Sequence, residues 1–280
     1  MNFSEAILLS GYNYRSTSPF LIDVGAHHGD VSLMFAKKGW HIIAFEPEKK
    51  NRAAFERNLS GFNHVSCVAK AVSDVSGEHV PFYVSDEHYG IHTLKPFHKT
   101  HKFAYDVETV RLDDFLRELK VSEVTLLKID VEGADFLALK GFDFERYNPE
   151  LIMVEFMDER SLPNFEYTHH DMAIFMKKNG YTTFVSEWSP IKEYGREGIR
   201  TEPHIWFQCA PYPLGHEPAW GNLIFVPNYD VDKFSSTLNR YLTKLKYMDK
   251  IERLKSGIGI IPGSKKIYRA SKKVLSFFAD

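Results

Sequence analysis

Hydrophobic and polar positions along the chain fall into two alternating periods. Short apolar runs close on glycine, proline or an acid, and stretches of helical spacing follow them. Phe20–Val24 is the first buried strand, and residues 30–38 follow as a helix. In that helix Val31, Met34 and Phe35 share one face, Asp30 suits the positive end, and Gly39 stops it. A second strand, His41–Phe45, closes on Glu46-Pro47, a polar-faced helix covers 48–59, and a third strand runs over 65–72.

The alternation then breaks. Residues 77–84 and 105–111 read as strands with no helix between them, which predicts an antiparallel excursion over one edge. A short helix at 112–119, a strongly apolar strand at 124–131 and a helix at 134–140 restore the pattern. Pro149 precedes the strand Leu151–Phe156, Thr168 with Asp171 caps a helix that runs to Gly180, and strands follow at 181–185 and 222–226. Repeated strand–helix–strand units predict an α/β fold, a mostly parallel sheet with helices on both faces. Ligands on such sheets sit beyond the carboxyl ends of the strands. Acids stand at several of those ends: Asp23, Glu46, and the pair Asp130 and Glu132, with Glu155 on a later strand.

Gly25-Ala26-His27-His28-Gly29 turns the first strand into its helix, and Glu46 stands seventeen residues past Gly29. Glycines let the main chain approach a ligand, and a carboxylate ending the second strand can take two ribose hydroxyls. The three-glycine dinucleotide fingerprint is incomplete and no Walker loop occurs, so a nucleoside without a pyrophosphate fits better than a nicotinamide dinucleotide.

The series Asp23-Val24-Gly25-Ala26-x-x-Gly29, Phe45-Glu46-Pro47, Ala71-Val72-Ser73-Asp74, Leu112-Asp113-Asp114-Phe115-Leu116 and Leu127-Lys128-Ile129-Asp130-Val131-Glu132-Gly133-Ala134-Asp135 resembles the successive motifs of the FkbM family. Those are class I S-adenosylmethionine-dependent methyltransferases. The resemblance covers about residues 20–156 and implies a Rossmann-like sheet of seven strands, the last antiparallel. It also implies S-adenosyl-L-methionine as cofactor, bound by Asp23, Gly25, Ala26, His27 and Gly29 in the loop, by Glu46 and Pro47 at the ribose, and by Ser73 and Asp74 near the adenine. Asp130 and Glu132 would then face the methyl group and the substrate mouth, with Asp130 as the base and Glu132 or His92 as substitutes. Histidine at position 27 departs from the family's more usual asparagine.

Composition narrows the partners. The chain has 280 residues and a net charge of −2, so no general affinity for nucleic acid is expected. Cys67 and Cys209 form no framework, as expected of reduced thiols in a cytoplasmic protein, and no signal peptide or membrane span is expected. The thirteen histidines include the adjacent pairs His27/His28 and His169/His170, which do not share a helix face. No H-E-x-x-H or paired C-x-x-C occurs, so no metal site is expected.

Three regions follow: a lead-in at 1–19, a methyltransferase domain at 20–229 and a basic helical tail at 230–280. Within the domain, 186–221 reads as a long connection rich in tryptophan, tyrosine and proline, suited to sugar rings or flat ligands. In the tail, five cations and bulky apolar residues at 264–280 suit peripheral contact with the inner face of an anionic membrane. The expected activity is O-methylation of a hydroxyl on a sugar, glycan or related natural product. Methylation of protein or RNA, and a cofactor-binding adaptor without turnover, are the alternatives.

Overall fold

The computed structural model describes residues 3–88, 90–191 and 204–258. Helices α1 (Glu5–Ser10), α2 (Asp30–Ala36), α3 (Lys49–Asn58), α4 (Leu112–Glu118), α5 (Asp135–Lys140), α6 (Phe144–Tyr147), α7 (Asp158–Phe165), α8 (His169–Lys178) and α9 (Val231–Ile258) surround two sheets. The strands are β1 (Phe20–Val24), β2 (His41–Phe45), β3 (Val65–Val68), β4 (Ala71–Val72), β5 (His79–Ser85), β6 (His101–Val110), β7 (Leu126–Ile129), β8 (Leu151–Phe156), β9 (Tyr181–Trp188), β10 (Trp206–Pro211) and β11 (Trp220–Pro227).

The main sheet has the order β10-β9-β11-β8-β7-β1-β2-β3. Strands β8, β7, β1, β2 and β3 pair in parallel, whereas β11 runs against both β8 and β9. Every residue of β7 and β8 is buried, as strands covered on both faces must be. One face is sealed by Leu8, Phe35, Phe55 and Phe234, from α1, α2, α3 and α9. Leu116, Leu139, Tyr147 and Met172, from α4, α5, α6 and α8, seal the other. Because β2 lies on one side of β1 and β7 on the other, the chain reverses direction across the sheet at β1. A crevice opens there at the strand carboxyl ends.

Three expectations are corrected. Among the described residues the sheet has eight strands rather than seven, because Trp206–Pro211 pairs antiparallel with β9. Residues 186–221 are therefore not one connection: β9 extends to Trp188, β10 crosses the middle, and β11 begins at Trp220. Finally, the run 65–72 is two strands. The chain leaves the main sheet after Val68, and Ala71–Val72 pairs with β6 in the small sheet β4-β6-β5. That small sheet is the antiparallel excursion expected from the broken alternation. Residues 264–280 lie outside the described residues, among which no helix is long and apolar enough to cross a membrane.

Candidate active site

At the crevice β1 turns into α2 through a loop that only glycine can begin. Gly25 has φ +73°, and a Cβ there would stand 1.8 Å from the Asp130 carbonyl oxygen. The loop therefore lies directly against the end of β7, and no side chain can separate the two strand ends. Gly29, at φ +85°, packs where a Cβ would overlap Leu59 and Phe55, so α2 sits close on α3. His27 between them takes φ +50°.

Beneath the loop lies a buried ion pair. Register sets Asp23 beside Lys128, and the two side chains meet at 3.2 Å. Asp23 is fully buried, and its other oxygen accepts the Ser32 hydroxyl at 2.7 Å. The Lys128 ammonium also donates to the carbonyls of Gly25 (2.8 Å) and Val24 (3.3 Å) and lies 3.6 Å from Asp130. Burial opposes its charge, but Asp23 and Asp130 more than compensate and raise its pKa. One lysine thus holds the glycine loop and the end of β7 in register.

Glu46 closes β2 across the crevice. Its carboxylate accepts the His27 N–H at 2.8 Å and the Glu48 N–H at 2.9 Å. Burial pushes its carboxyl up to about 7, against the pull of those two N–H groups. His27 is pushed down to about 4, chiefly by burial and then by His28, His92 and Lys128; its Nε2 is buried without a hydrogen-bond partner.

On the far side of the loop, Asp130, Glu132 and Glu155 bring carboxylate oxygens within 4.8 Å of one another. Asp135 accepts the N–H groups of Val131 and Gly133, at 2.9 and 3.0 Å, and so shapes the turn that holds Glu132 at φ +56°. The buried Arg160 guanidinium pairs with Glu132 and lies 3.5 Å from Glu155. Burial, then the charges of Asp130 and Asp135, push Glu155 well above the usual carboxylate range; burial and Asp130 raise Asp135 to about 7. Asp130, with a side chain 39% exposed, is the open member of the group.

The small sheet supplies a roof. Thr93 bridges to Tyr83 of β5 and donates its hydroxyl to the Glu132 carbonyl at 3.1 Å, while the Tyr105 hydroxyl of β6 holds the Pro47 carbonyl at 2.9 Å. His92 in this roof accepts the Ser85 N–H on Nδ1, and burial lowers its pKa. With Nδ1 accepting, the neutral ring carries its proton on Nε2.

These walls enclose a cavity of about 290 Å³. Gly25, His27, Glu46, Pro47, His92, Asp130 and Glu132 all line it, as do Lys70, Ala71, Val72 and Phe82 at the β3–β4 end. Among the residues expected at the site, five do not line this cavity. Asp23 lies below it on Lys128, and Ala26 is buried against the α2–α3 core. Gly29 serves the packing of α2 on α3, while Ser73 and Asp74 turn away toward Arg111 and Lys140. The chain leaves the main sheet before position 73, so Ala71 and Val72 face the cavity instead. Lys128 and Arg160 escaped the sequence reading. A lysine inside the apolar run Leu126–Ile129 is the signal for the first, since such a charge must find a partner. Arg160 sits in a helix that carries Pro163 within it, where nothing local marks it.

The strand order, the reversal at β1 and the antiparallel β11 inserted beside β8 define the class I methyltransferase fold. Residues 23–183 match the family model described as the methyltransferase FkbM domain. The chain belongs to that family, a class of S-adenosylmethionine-dependent methyltransferases. It is 28% identical to Methyltransferase 1 of Beauveria bassiana over 165 residues, covering 50% of this chain and 66% of that protein. It is 27% identical to methyltransferase sdnD of Sordaria araneosa over 209 residues, 62% of this chain and 78% of that one. Among solved structures, the precorrin-6Y C5,15-methyltransferase of Geobacter metallireducens aligns with TM-score 0.38 and 13% identity, covering 79% of this chain and 87% of that one. The magnesium protoporphyrin IX methyltransferase of Synechocystis, with bound S-adenosylmethionine, aligns with TM-score 0.38 and 11% identity over 75% and 70% of the two chains.

Proposed function

We propose that this chain transfers a methyl group from S-adenosylmethionine to a hydroxyl oxygen of a sugar, glycan or related natural product. The observation that carries the reading is a single cavity with Glu46 at one end and Asp130 and Glu132 at the other, meeting over Gly25. The residues fit the cofactor. Gly25 lines the cavity without a side chain, His27 offers an unpartnered Nε2, and Ala71, Val72 and Phe82 provide an apolar slot for a purine.

Glu46 would accept the two ribose hydroxyls while the N–H groups of His27 and Glu48 keep it oriented. When bound, S-adenosylmethionine supplies an electrophilic methyl carbon on a sulfonium leaving group. Lys128 and Arg160 hold Asp130 and Glu132 in place, so the acceptor meets a fixed surface. Asp130 would take the proton that the acceptor's hydroxyl loses on methylation. His92 donates Nε2–H to the acceptor, and the small sheet excludes water. Residues 20–229 would form the catalytic body, with β10 and its flanking aromatic residues helping to choose the acceptor.

The test is to incubate the chain with methyl-labelled S-adenosylmethionine and a panel of glycans, hydroxylated natural products, peptides and RNA. Label appearing as a methyl ether supports the proposal. Label on protein or RNA alone, or S-adenosylhomocysteine formed with none of them, overturns it.

A further inference from the structure

His169 opens α8 with one ring nitrogen satisfied and the other stranded. The residue is 4% exposed, its Nδ1 lies 2.6 Å from Asp158 Oδ2, and its N–H is taken by the same carboxylate at 2.8 Å. With Nδ1 so committed, Nε2 is buried without a hydrogen-bond partner. A buried polar atom left this way is costly unless something occupies it. Beside it, one donor atom each from His169, His170 and Glu217 lie within 4.8 Å of one another, and the two imidazole centroids are 4.1 Å apart.

We propose that His169, His170 and Glu217 bind a divalent cation of the zinc type and pin the connection between β10 and β11 to the start of α8. The adjacent histidines gave no metal pattern along the helix. The third ligand and the orienting carboxylate come instead from the β10–β11 connection and from α7, which only the fold brings together. A carboxylate on the far nitrogen is the arrangement that fixes a metal-ligating histidine in its neutral tautomer. Zinc bonds of about 2.1 Å place tetrahedral ligands about 3.4 Å apart, so His170 and Glu217, both exposed, would have to close on the metal by side-chain rotation, His170 from its contact between Nδ1 and the Tyr212 hydroxyl. Two histidines, one carboxylate and a water complete such a site. None of these residues lines the cofactor cavity. The acids Asp130, Glu132 and Glu155 are also close together, but each already has a cation beside it, Lys128 or Arg160.

The full chain, dialysed against ZnCl2 and then against buffer, should retain a single zinc, and Co2+ in its place should show tetrahedral absorption bands. His170→Ala and Glu217→Gln change exposed side chains, so both should fold and bind S-adenosylhomocysteine as wild type while losing zinc affinity by at least about tenfold. Asp158→Asn should weaken binding about 10- to 100-fold and alter the Co2+ spectrum, marking Asp158 as a positioning residue. Zinc affinity equal in all these proteins, or no zinc retained by wild type, overturns the site. Because cofactor binding is read separately, failure here leaves the methyltransferase reading intact.

Discussion

Replacing Lys128 by methionine tests whether one buried cation organises the site. The change keeps an unbranched side chain one atom shorter but removes the charge that faces Asp23 at 3.2 Å and Asp130 at 3.6 Å, along with the donors to the Val24 and Gly25 carbonyls. Asp23 has no exposure, and its Oδ1 makes no hydrogen bond besides this ion pair. Breaking a buried pair from one side costs about 3–5 kcal/mol, because the surviving charge is left without compensation. At about 2–4 °C per kcal/mol for a protein of this size, the melting temperature should fall by roughly 6–20 °C. The companion variant Lys128→Met/Asp23→Asn removes both charges and should recover at least half of that loss. Circular dichroism melts of the three proteins at pH 7 read the difference directly. A single variant melting within about 2 °C of wild type, or a double variant no better than the single, refutes the reasoning.

Glu46→Gln addresses pH. Burial raises the Glu46 carboxyl from 4.5 to about 7, so the folded protein keeps a proton there that the unfolded chain has lost. Glu46 thus makes the protein less stable as pH rises from 4.5 to 7, and contributes a constant penalty above. If the ribose needs the carboxylate, cofactor affinity should rise about tenfold from pH 6 to pH 8 and flatten in Glu46→Gln, by calorimetry; an unchanged slope in the variant refutes the assignment. Gly25→Ala carries about 1–2 kcal/mol of backbone strain plus a Cβ driven into the Asp130 carbonyl, so cofactor binding should be lost. Gly39→Ala, with φ +80° and open space around its Cβ, is the control that should be strained yet still bind; equal binding by both variants counts against the loop. Asp130→Asn should bind the cofactor as wild type while turnover drops about 10²- to 10⁴-fold, and full turnover would remove Asp130 as the base.

What could be read from residues alone follows from where the information is local. Strands β1, β2 and β8 and helices α2, α3 and α8 show their periods and stops within their own segments. The run 65–72 shows no interruption, yet it divides between two sheets, because partners more than thirty residues away decide where Ala71 pairs. Strand β10 is set by the edge of β9 and not by its own composition, and α7 carries Pro163 inside it. The same contrast holds at the site. Gly25, Glu46 and Asp130 stand at strand ends and could be nominated from position. Lys128 and Arg160 acquire their roles only when register and a neighbouring helix bring Asp23 and Glu132 to them.

Titration of the purified chain with S-adenosylhomocysteine, in parallel with Glu46→Ala, bears most directly on the cofactor site. Saturable heat at a single site, weakened at least about tenfold by the loss of two charged hydrogen bonds in Glu46→Ala, is the expected result. No heat from the wild-type chain, or the same affinity in both proteins, would contradict the placement of the nucleoside against Gly25 and Glu46.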